Sequence, residues 1–389
     1  MNSTLRRTWA EINLDALKHN YTQLRKRVGS DVKFLGVVKA DAYGHGSVQV
    51  SRVLQQMGAN YLAVSSLDEA MELRANGIAM PVMILGHTPR EEVSKLIEND
   101  ITQTVTCMAK AVEYSEEAEK LGKNLRIHIK VDTGMSRLGY LCDDDFFGTG
   151  VDGIVDACRM PGLEAEGIFT HFAMSDEEDE GSAEYTRHQL MLFKDVIDAV
   201  EAKLGRRFDI RHCANTGAVA NYPDAWMDMV RPGLLLYGYG DYAEKLGLKP
   251  VMTMKTTVST IKIYPAGTRI SYGGIYETSH TTRVGVLPYG YADGFLRCLS
   301  NKVKLMTSEG PAQQVGRICM DMSMIDITDK MSVEVGSEIE IFGPGNSINQ
   351  VAKLADTIPY ELTCAVSKRV PRIYFEDGVA VEKELMLRG

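Results

Sequence analysis

Across the first 240 residues one hydrophobic pattern recurs: a short apolar, β-branched run ends in a polar or glycine-containing segment, and a helical stretch follows. The junctions are FLGVV-KADAYGHG, NYLAV-SSLDEA, PVMIL-GHTPREE, TQTV-TCMAKA, LRIHIKV-DTGMSR, LEAEGIF-THFAMS, DIRHC-ANTGAVA and GLLLY-GYG. Strands alternating with helices imply a mainly parallel sheet with right-handed crossovers. Eight such units fit a (β/α)8 TIM-type barrel better than an open doubly wound sheet, and about 250 residues is typical for that barrel. Helix starts are signed by capping boxes at Ser66-Leu67-Asp68-Glu69 and Thr88-Pro89-Arg90-Glu91, the second with proline at the first helical position. In the helix after it, Val93, Leu96 and Ile97 share one face. Asn215-Thr216 can cap the turn before Ala218.

From about residue 250 the period changes to two. VMTMKTTVSTIKI, RVGVLP, KVKLM, SMIDI and EIEIF alternate or are β-branched, with Gly, Pro and Asp between them. A helix opened by a Ser347-Ile348-Asn349-Gln350 box interrupts them. The expected architecture is a barrel over 1–240, followed over 241–389 by a mostly antiparallel β-domain, with the boundary inside 238–250. The acidic run from Ser175 to Glu180 reads as a solvated loop.

Composition narrows the function classes. The 389 residues carry 52 acidic and 43 basic side chains, a net charge of −9, which disfavours nucleic acid or an anionic membrane as the main partner. The N-terminal stretch is too polar for a signal peptide, and the apolar runs are strand-sized. Seven cysteines with no C-x-x-C pair argue against a disulfide framework or a structural zinc site. These features point to a cytoplasmic protein.

In a barrel of this kind, side chains at the C-terminal strand ends converge on the reactive face. Here they are Lys39, Tyr43, Arg137, His171, Asn215, Thr216 and Gly233, the last just after Arg231. Paired carboxylates and metal-ligand spacings are missing, which disfavours glycosidase and divalent-metal chemistry. Most lysines are solvated and inert, but burial at a strand end would lower the pKa of Lys39 and suit it to a Schiff base or to proton transfer. Asn215, Thr216, the backbone near Gly233 and the phenol of Tyr43 would supply uncharged donors to a phosphate. Lysine and phosphate cradle together suggest pyridoxal phosphate. Taken alone, His171 reads as a core histidine and Arg231 as a surface arginine.

VVKADAYGHG at 37–46 resembles the pyridoxal-lysine signature of alanine racemases, and the likeness runs along the whole chain. KVDTGMSRLG (130–139), GIFTHFA (167–173), MVRPG (229–233), ISYGG (270–274), PYGYADG (288–294), VGRICMD (315–321) and IPYE (358–361) appear in the family's order. The resemblance implies a pyridoxal 5'-phosphate barrel followed by a β-domain that the first ten or so residues join. It also implies a head-to-tail homodimer with shared active sites, and racemisation of alanine that supplies D-alanine for cell-wall peptidoglycan.

The roles follow residue by residue. Lys39 would bind the cofactor and act as the base for the D-enantiomer; Tyr272 would be the base for the L-enantiomer on the opposite face. His171 would hydrogen-bond toward Tyr272 and Arg231, and Arg231 would face the pyridine nitrogen. Arg137 would meet the cofactor's phenolic oxygen and the substrate carboxylate, with Lys130 either carbamylated to hold it or a plain lysine. Tyr43, Thr216, Gly233 and Tyr360 match the phosphate-binding positions. The backbone of Met320 would meet the carboxylate, Tyr291 would narrow the entrance, and serine is the expected side substrate. A basic-amino-acid decarboxylase, a non-catalytic pyridoxal carrier and a serine or broad-spectrum racemase are the alternatives.

Overall fold

The computed structural model describes residues 7–384. It contains two compact units: Tyr21–Ala42 with Ser47–Leu236, and the described residues of Met1–Asn20, Tyr43–Gly46 and Tyr237–Gly389. The expected contribution of the first residues to the β-domain falls partly on residues 1–6, outside the described residues.

The first unit is an eight-stranded parallel barrel. Its strands run Met229–Val230, Lys33–Val37, Tyr61–Val64, Val82–Ile84, Ile101–Val105, Leu125–Asp132, Leu163–Phe169 and Ile210–His212, each paired with the next. The ring closes through Asp228 N–H to the Arg211 carbonyl (3.1 Å) and Arg231 N–H to the Ala214 carbonyl (2.9 Å). Tyr61–Val64 and Val82–Ile84 are buried at every position, as expected for parallel strands covered on both faces.

One expected strand is replaced. The run GLLLY forms a short 3-10 helix, Leu234–Tyr237, and the closing strand is Met229–Val230, just upstream. Leu235, Leu236 and Tyr237 are at most 1% exposed. A run buried on all sides shows no alternation, so its conformation cannot be read from hydrophobicity.

Two capping boxes also differ. Thr88 directs its hydroxyl to Gln103 Oε1 (2.6 Å), and the helix Val93–Glu98 starts later, after a 3-10 turn. The helix Ile348–Leu354 has no side-chain cap from Ser347. Ser66 does accept from Glu69 N–H, but the Glu69 carboxylate turns to Ser65 N–H (2.6 Å) and Ala40 N–H (2.7 Å). The acidic run ends as a cap: Asp179 accepts from Ser182 N–H (3.0 Å) and starts the helix Glu180–Leu204.

The second unit holds a seven-stranded sheet in the order Gly310–Gln313, Lys304–Thr307, Glu338–Phe342, Met252–Thr257, Thr8–Asn13, Arg372–Glu376 and Val379–Glu384. Thr8–Asn13 runs parallel to Arg372–Glu376, and the other neighbours are antiparallel. Buried and half-buried positions alternate along Met252–Thr257, matching the period of two. A three-stranded sheet joins Thr260–Tyr264, Thr282–Leu287 and Ser323–Asp326. Ile270, Val284 and Val315 form a small buried core against which Tyr264, Tyr276 and Met324 pack. Among the described residues no helix is long and apolar enough to cross a membrane.

Candidate active site

Lys39 follows the strand Lys33–Val37 and opens a turn of opposite hand to ordinary helix. Ala40, Asp41, Ala42 and Tyr43 all have φ between +51 and +54°. For L-residues that conformation costs about 1–2 kcal/mol each, so neighbours must over-determine it. Ala42 N–H donates to the Val38 carbonyl (2.8 Å), Ala40 N–H to Glu69, and Ser47 N–H to Asp41 Oδ1 (2.8 Å). Gly44 ends the turn at φ +82°, where a Cβ would lie 2.1 Å from the Thr363 carbonyl oxygen.

The strand Leu125–Asp132 carries the next groups. The Asp132 carboxylate accepts the backbone N–H groups of Gly134, Ser136 and Arg137, each at 3.0 Å, and so shapes the loop that presents the exposed Arg137 side chain. Lys130 Nζ is buried without a hydrogen-bond partner, 4.7 Å from the centre of the Phe169 ring. Burial and the charge of Arg231 hold it well below the usual lysine range. A neutral amine is the form that reacts with carbon dioxide to give a carbamate.

Arg231 is 4% exposed, not the surface arginine its local sequence suggests. It donates to the Thr170 carbonyl (2.9 Å), the Cys213 carbonyl (3.2 Å), His212 Nδ1 (3.0 Å) and His171 Nδ1 (3.4 Å). Burial brings its pKa down to about 10. Burial, then the charges of Arg231, Lys130, Arg137 and Lys39, hold His171 well below the usual imidazole range. His171 is therefore neutral, and the Arg231 and Arg137 guanidinium groups acting on it define an electropositive face.

At the next strand end Asn215 caps the helix Thr216–Asn221, accepting from Ala218 N–H (3.2 Å) and Ser175 Oγ–H (2.6 Å) while donating to the Phe172 carbonyl (3.2 Å). These bonds shape the loop, and the one to Phe172 uses one of the two Nδ2 hydrogens. Gly233 N–H, expected to face a ligand, donates to Thr216 Oγ1 (2.9 Å). That bond uses a hydroxyl lone pair and leaves the Thr216 hydrogen to point elsewhere.

In the second unit Tyr43 packs against Tyr360 (ring centres 5.0 Å apart) and Tyr237 (5.3 Å). A separate cluster joins three segments. Tyr291 N–H donates to the Cys319 carbonyl (3.0 Å), Ala292 N–H to the Met320 carbonyl (3.0 Å), and Ser271 Oγ–H to the Arg317 carbonyl (2.7 Å). Tyr272, Tyr291 and Met320 are thereby gathered, at 72%, 43% and 53% exposure.

Sequence models of the alanine racemase N-terminal and C-terminal domains match residues 12–241 and 251–374. An alanine racemase 2 of Caldanaerobacter subterraneus subsp. tengcongensis is 42% identical over 385 residues, 97% of each chain. A Methanococcus maripaludis alanine racemase is 42% identical over 375 residues, 94% of this chain and 98% of that one. Among solved structures, a Clostridium difficile 630 alanine racemase superposes with a TM-score of 0.93 at 37% identity, covering 99% of this chain and 100% of that one. One from Bacillus anthracis, solved with bound L-Ala-P, gives 0.89 at 32%, covering 99% of each. The chain belongs to the alanine racemase family.

Alanine racemases are pyridoxal-phosphate enzymes, and in this member the barrel unit brings Lys39, Arg137, His171, Asn215, Thr216, Arg231 and Gly233 to the ends of parallel strands. The other unit pairs Tyr43 with Tyr360 and gathers Tyr272 with Tyr291 and Met320. Sequence reasoning missed His128, His212 and Glu166, which run from Arg231 into the barrel core. Their signal was polar residues inside apolar strands, LRIHIKV, LEAEGIF and DIRHC, where a buried titratable group needs a partner.

Proposed function

We propose that this chain interconverts L- and D-alanine with pyridoxal phosphate held at the barrel's strand ends and a second base lent by another copy. The observation that carries the reading is the electropositive face around neutral His171, where Arg231 is buried with no carboxylate partner among the described residues. That donor set fits a group bearing a phosphate, a phenolic oxygen and a ring nitrogen. Lys39 would bond it through Nζ; Tyr43, Thr216 and Tyr360 would hold its phosphate, with Asn215 and Gly233 shaping the turn. Arg137 would meet the phenolic oxygen and Arg231 the ring nitrogen.

When bound, that group supplies an electron sink that makes the substrate α-proton acidic. The chain's own residues move the proton. Lys39 Nζ takes it from, or returns it to, the face that handles D-alanine, and the Tyr272 phenolate oxygen serves the L-face. Because a guanidinium only donates, His171 Nδ1 accepts from Arg231 and Nε2 carries the hydrogen. That Nε2–H is the donor that stabilises the Tyr272 phenolate. A permanent charge on Arg231 opposes protonation of the ring nitrogen and so disfavours transamination.

An exposed cluster around Tyr272 suits coverage by a second copy of the chain. Arg137 and the Met320 backbone amide would grip the substrate carboxylate, while Tyr291 and Tyr360 would confine the side chain to the size of a methyl group. Rejecting one added hydroxyl in such a pocket is weak, so serine is a side substrate. Solvent-deuterium exchange into each enantiomer of alanine and of serine tests the whole reading. The wild type labels both alanines faster than serine; Lys39→Ala loses cofactor absorbance and all exchange; Tyr272→Phe keeps the absorbance and loses exchange into L-alanine. Wild-type exchange by Tyr272→Phe contradicts the two-base assignment.

A further inference from the structure

Below Arg231 the barrel core holds titratable groups that the proton transfers do not use. His212 and His128 are fully buried, and Glu166 is half-buried at the far end. Arg231 lies 3.0 Å from His212 Nδ1, His212 Nε2 lies 2.8 Å from His128 Nδ1, and His128 Nε2 lies 2.9 Å from Glu166 Oε2. The Tyr61 hydroxyl donates to the same carboxylate oxygen at 2.7 Å.

Donor chemistry orients every link. A guanidinium has no acceptor, so His212 Nδ1 must accept. A neutral ring then carries its hydrogen on Nε2 and donates it to His128 Nδ1. His128 in turn carries hydrogen on Nε2 and donates it to Glu166. Both end groups support this arrangement. Burial, then the charge of Arg231, keeps His212 well below the usual imidazole range. Burial alone would raise the Glu166 pKa, but hydrogen bonds from His128 and Tyr61 outweigh it and leave the carboxylate ionised.

The surrounding backbone is built around the rings. A Cβ on Gly167 would lie 2.6 Å from His128 ring atoms, so only glycine leaves that space. The strand register shifts at Ile127 and His128, and the His212 ring stacks on Phe169 at 4.7 Å and 8°.

We propose that Glu166, His128 and His212 are positioning residues for racemisation: their one-way hydrogen-bond chain offers Arg231 a lone pair from within the core, fixing its plane and holding its charge. Hydrogen bonds in such a chain polarise one another in a low-dielectric interior, so the remote carboxylate acts through two rings on a guanidinium that no carboxylate touches among the described residues. The inference rests on the reading that Arg231 meets the cofactor's ring nitrogen.

The test is nitrogen-15 NMR of the folded enzyme with labelled histidine rings and, separately, a labelled cofactor ring nitrogen. His128 and His212 should both be neutral with hydrogen on Nε2, a result that needs no variant. Hydrogen on Nδ1 of either ring, or an imidazolium, overturns the chain. Glu166→Gln keeps the shape and removes the charge. Its kcat should fall about 10-fold with little change in KM, at the lower end of what lost orienting partners cost elsewhere, and the ring-nitrogen signal should move toward the protonated form. Glu166→Asp should recover part of both. A purely structural role lowers stability without moving the ring-nitrogen signal, and that outcome overturns the proposal. Correct tautomers in a wild-type protein that binds no cofactor would instead overturn the reading of Arg231 and the catalytic meaning of the chain with it.

Discussion

Replacing Ala40 by glycine should stabilise this protein, the reverse of its effect in ordinary helix. Ala40 sits at φ +53° with an exposed side chain, and its N–H reaches Glu69 Oε1 at 2.7 Å, a bond glycine keeps. Relieving the left-handed conformation is worth about 1–2 kcal/mol, while the extra freedom of glycine in the unfolded chain costs about 0.5–1 kcal/mol. The net gain is roughly 0.5–1 kcal/mol. In a right-handed helix interior the same change would lose about 1 kcal/mol. Ala42 is a useful control, since it has φ +51° but is fully buried. Losing its methyl forfeits about 0.8 kcal/mol, so Ala42→Gly should be close to neutral. Urea denaturation followed by circular dichroism reads both variants against the wild type. A loss near 1 kcal/mol for Ala40→Gly, with an unchanged urea dependence, would refute the account of this turn.

Gly44→Ala should be harmful where Ala40→Gly is helpful, because its Cβ would meet the Thr363 carbonyl at 2.1 Å in a left-handed residue; a loss of at least about 2 kcal/mol in urea is expected. Arg372, 2% exposed, donates to the carbonyls of Gly44, Val366, Ser367 and Val370. Arg372→Met leaves them without that donor and should cost about 3–5 kcal/mol, measured the same way. The depressed pKa of His212 gives a pH dependence with a definite sign. Above the unfolded value of about 6.5 neither state is protonated; below it the unfolded chain binds a proton that the folded one refuses. Stability therefore falls as pH drops from 6.5 toward the folded pKa, by about 1 kcal/mol at pH 5.5 from this ring, and urea midpoints that rise on acidification would contradict it.

Much of this was legible because its physics is local or periodic. Parallel strands announce themselves as β-branched runs before glycine, and the switch to alternation near residue 250 matches the alternating burial of Met252–Thr257 and Ser323–Asp326. GLLLY was misread because a fully buried run has no period. The missed caps at Thr88 and Ser347 failed for a tertiary reason, seen at Thr88, whose hydroxyl had a better partner in buried Gln103. The left-handed turn after Lys39 could not be foreseen, since Ala-Asp-Ala-Tyr has no intrinsic preference for positive φ and only the surrounding hydrogen bonds impose it. Arg231 looked like a surface residue because its partners, from Thr170 to Cys213, lie at the ends of other strands. Tyr272, Tyr291 and Met320 come together through loop hydrogen bonds that only the fold displays.

The claim at the centre of this account is that the two bases on either side of one substrate carbon come from different copies of the chain. Mixing two inactive proteins tests it directly. Lys39→Ala and Tyr272→Phe are each purified, unfolded together in equal amounts, refolded with pyridoxal phosphate and assayed for racemisation of alanine. If sites are shared, each mixed dimer has one doubly damaged site and one intact site, and random pairing restores roughly a quarter of wild-type activity. A mixture that forms mixed dimers yet stays as inactive as its components would place both bases on one chain and contradict the account.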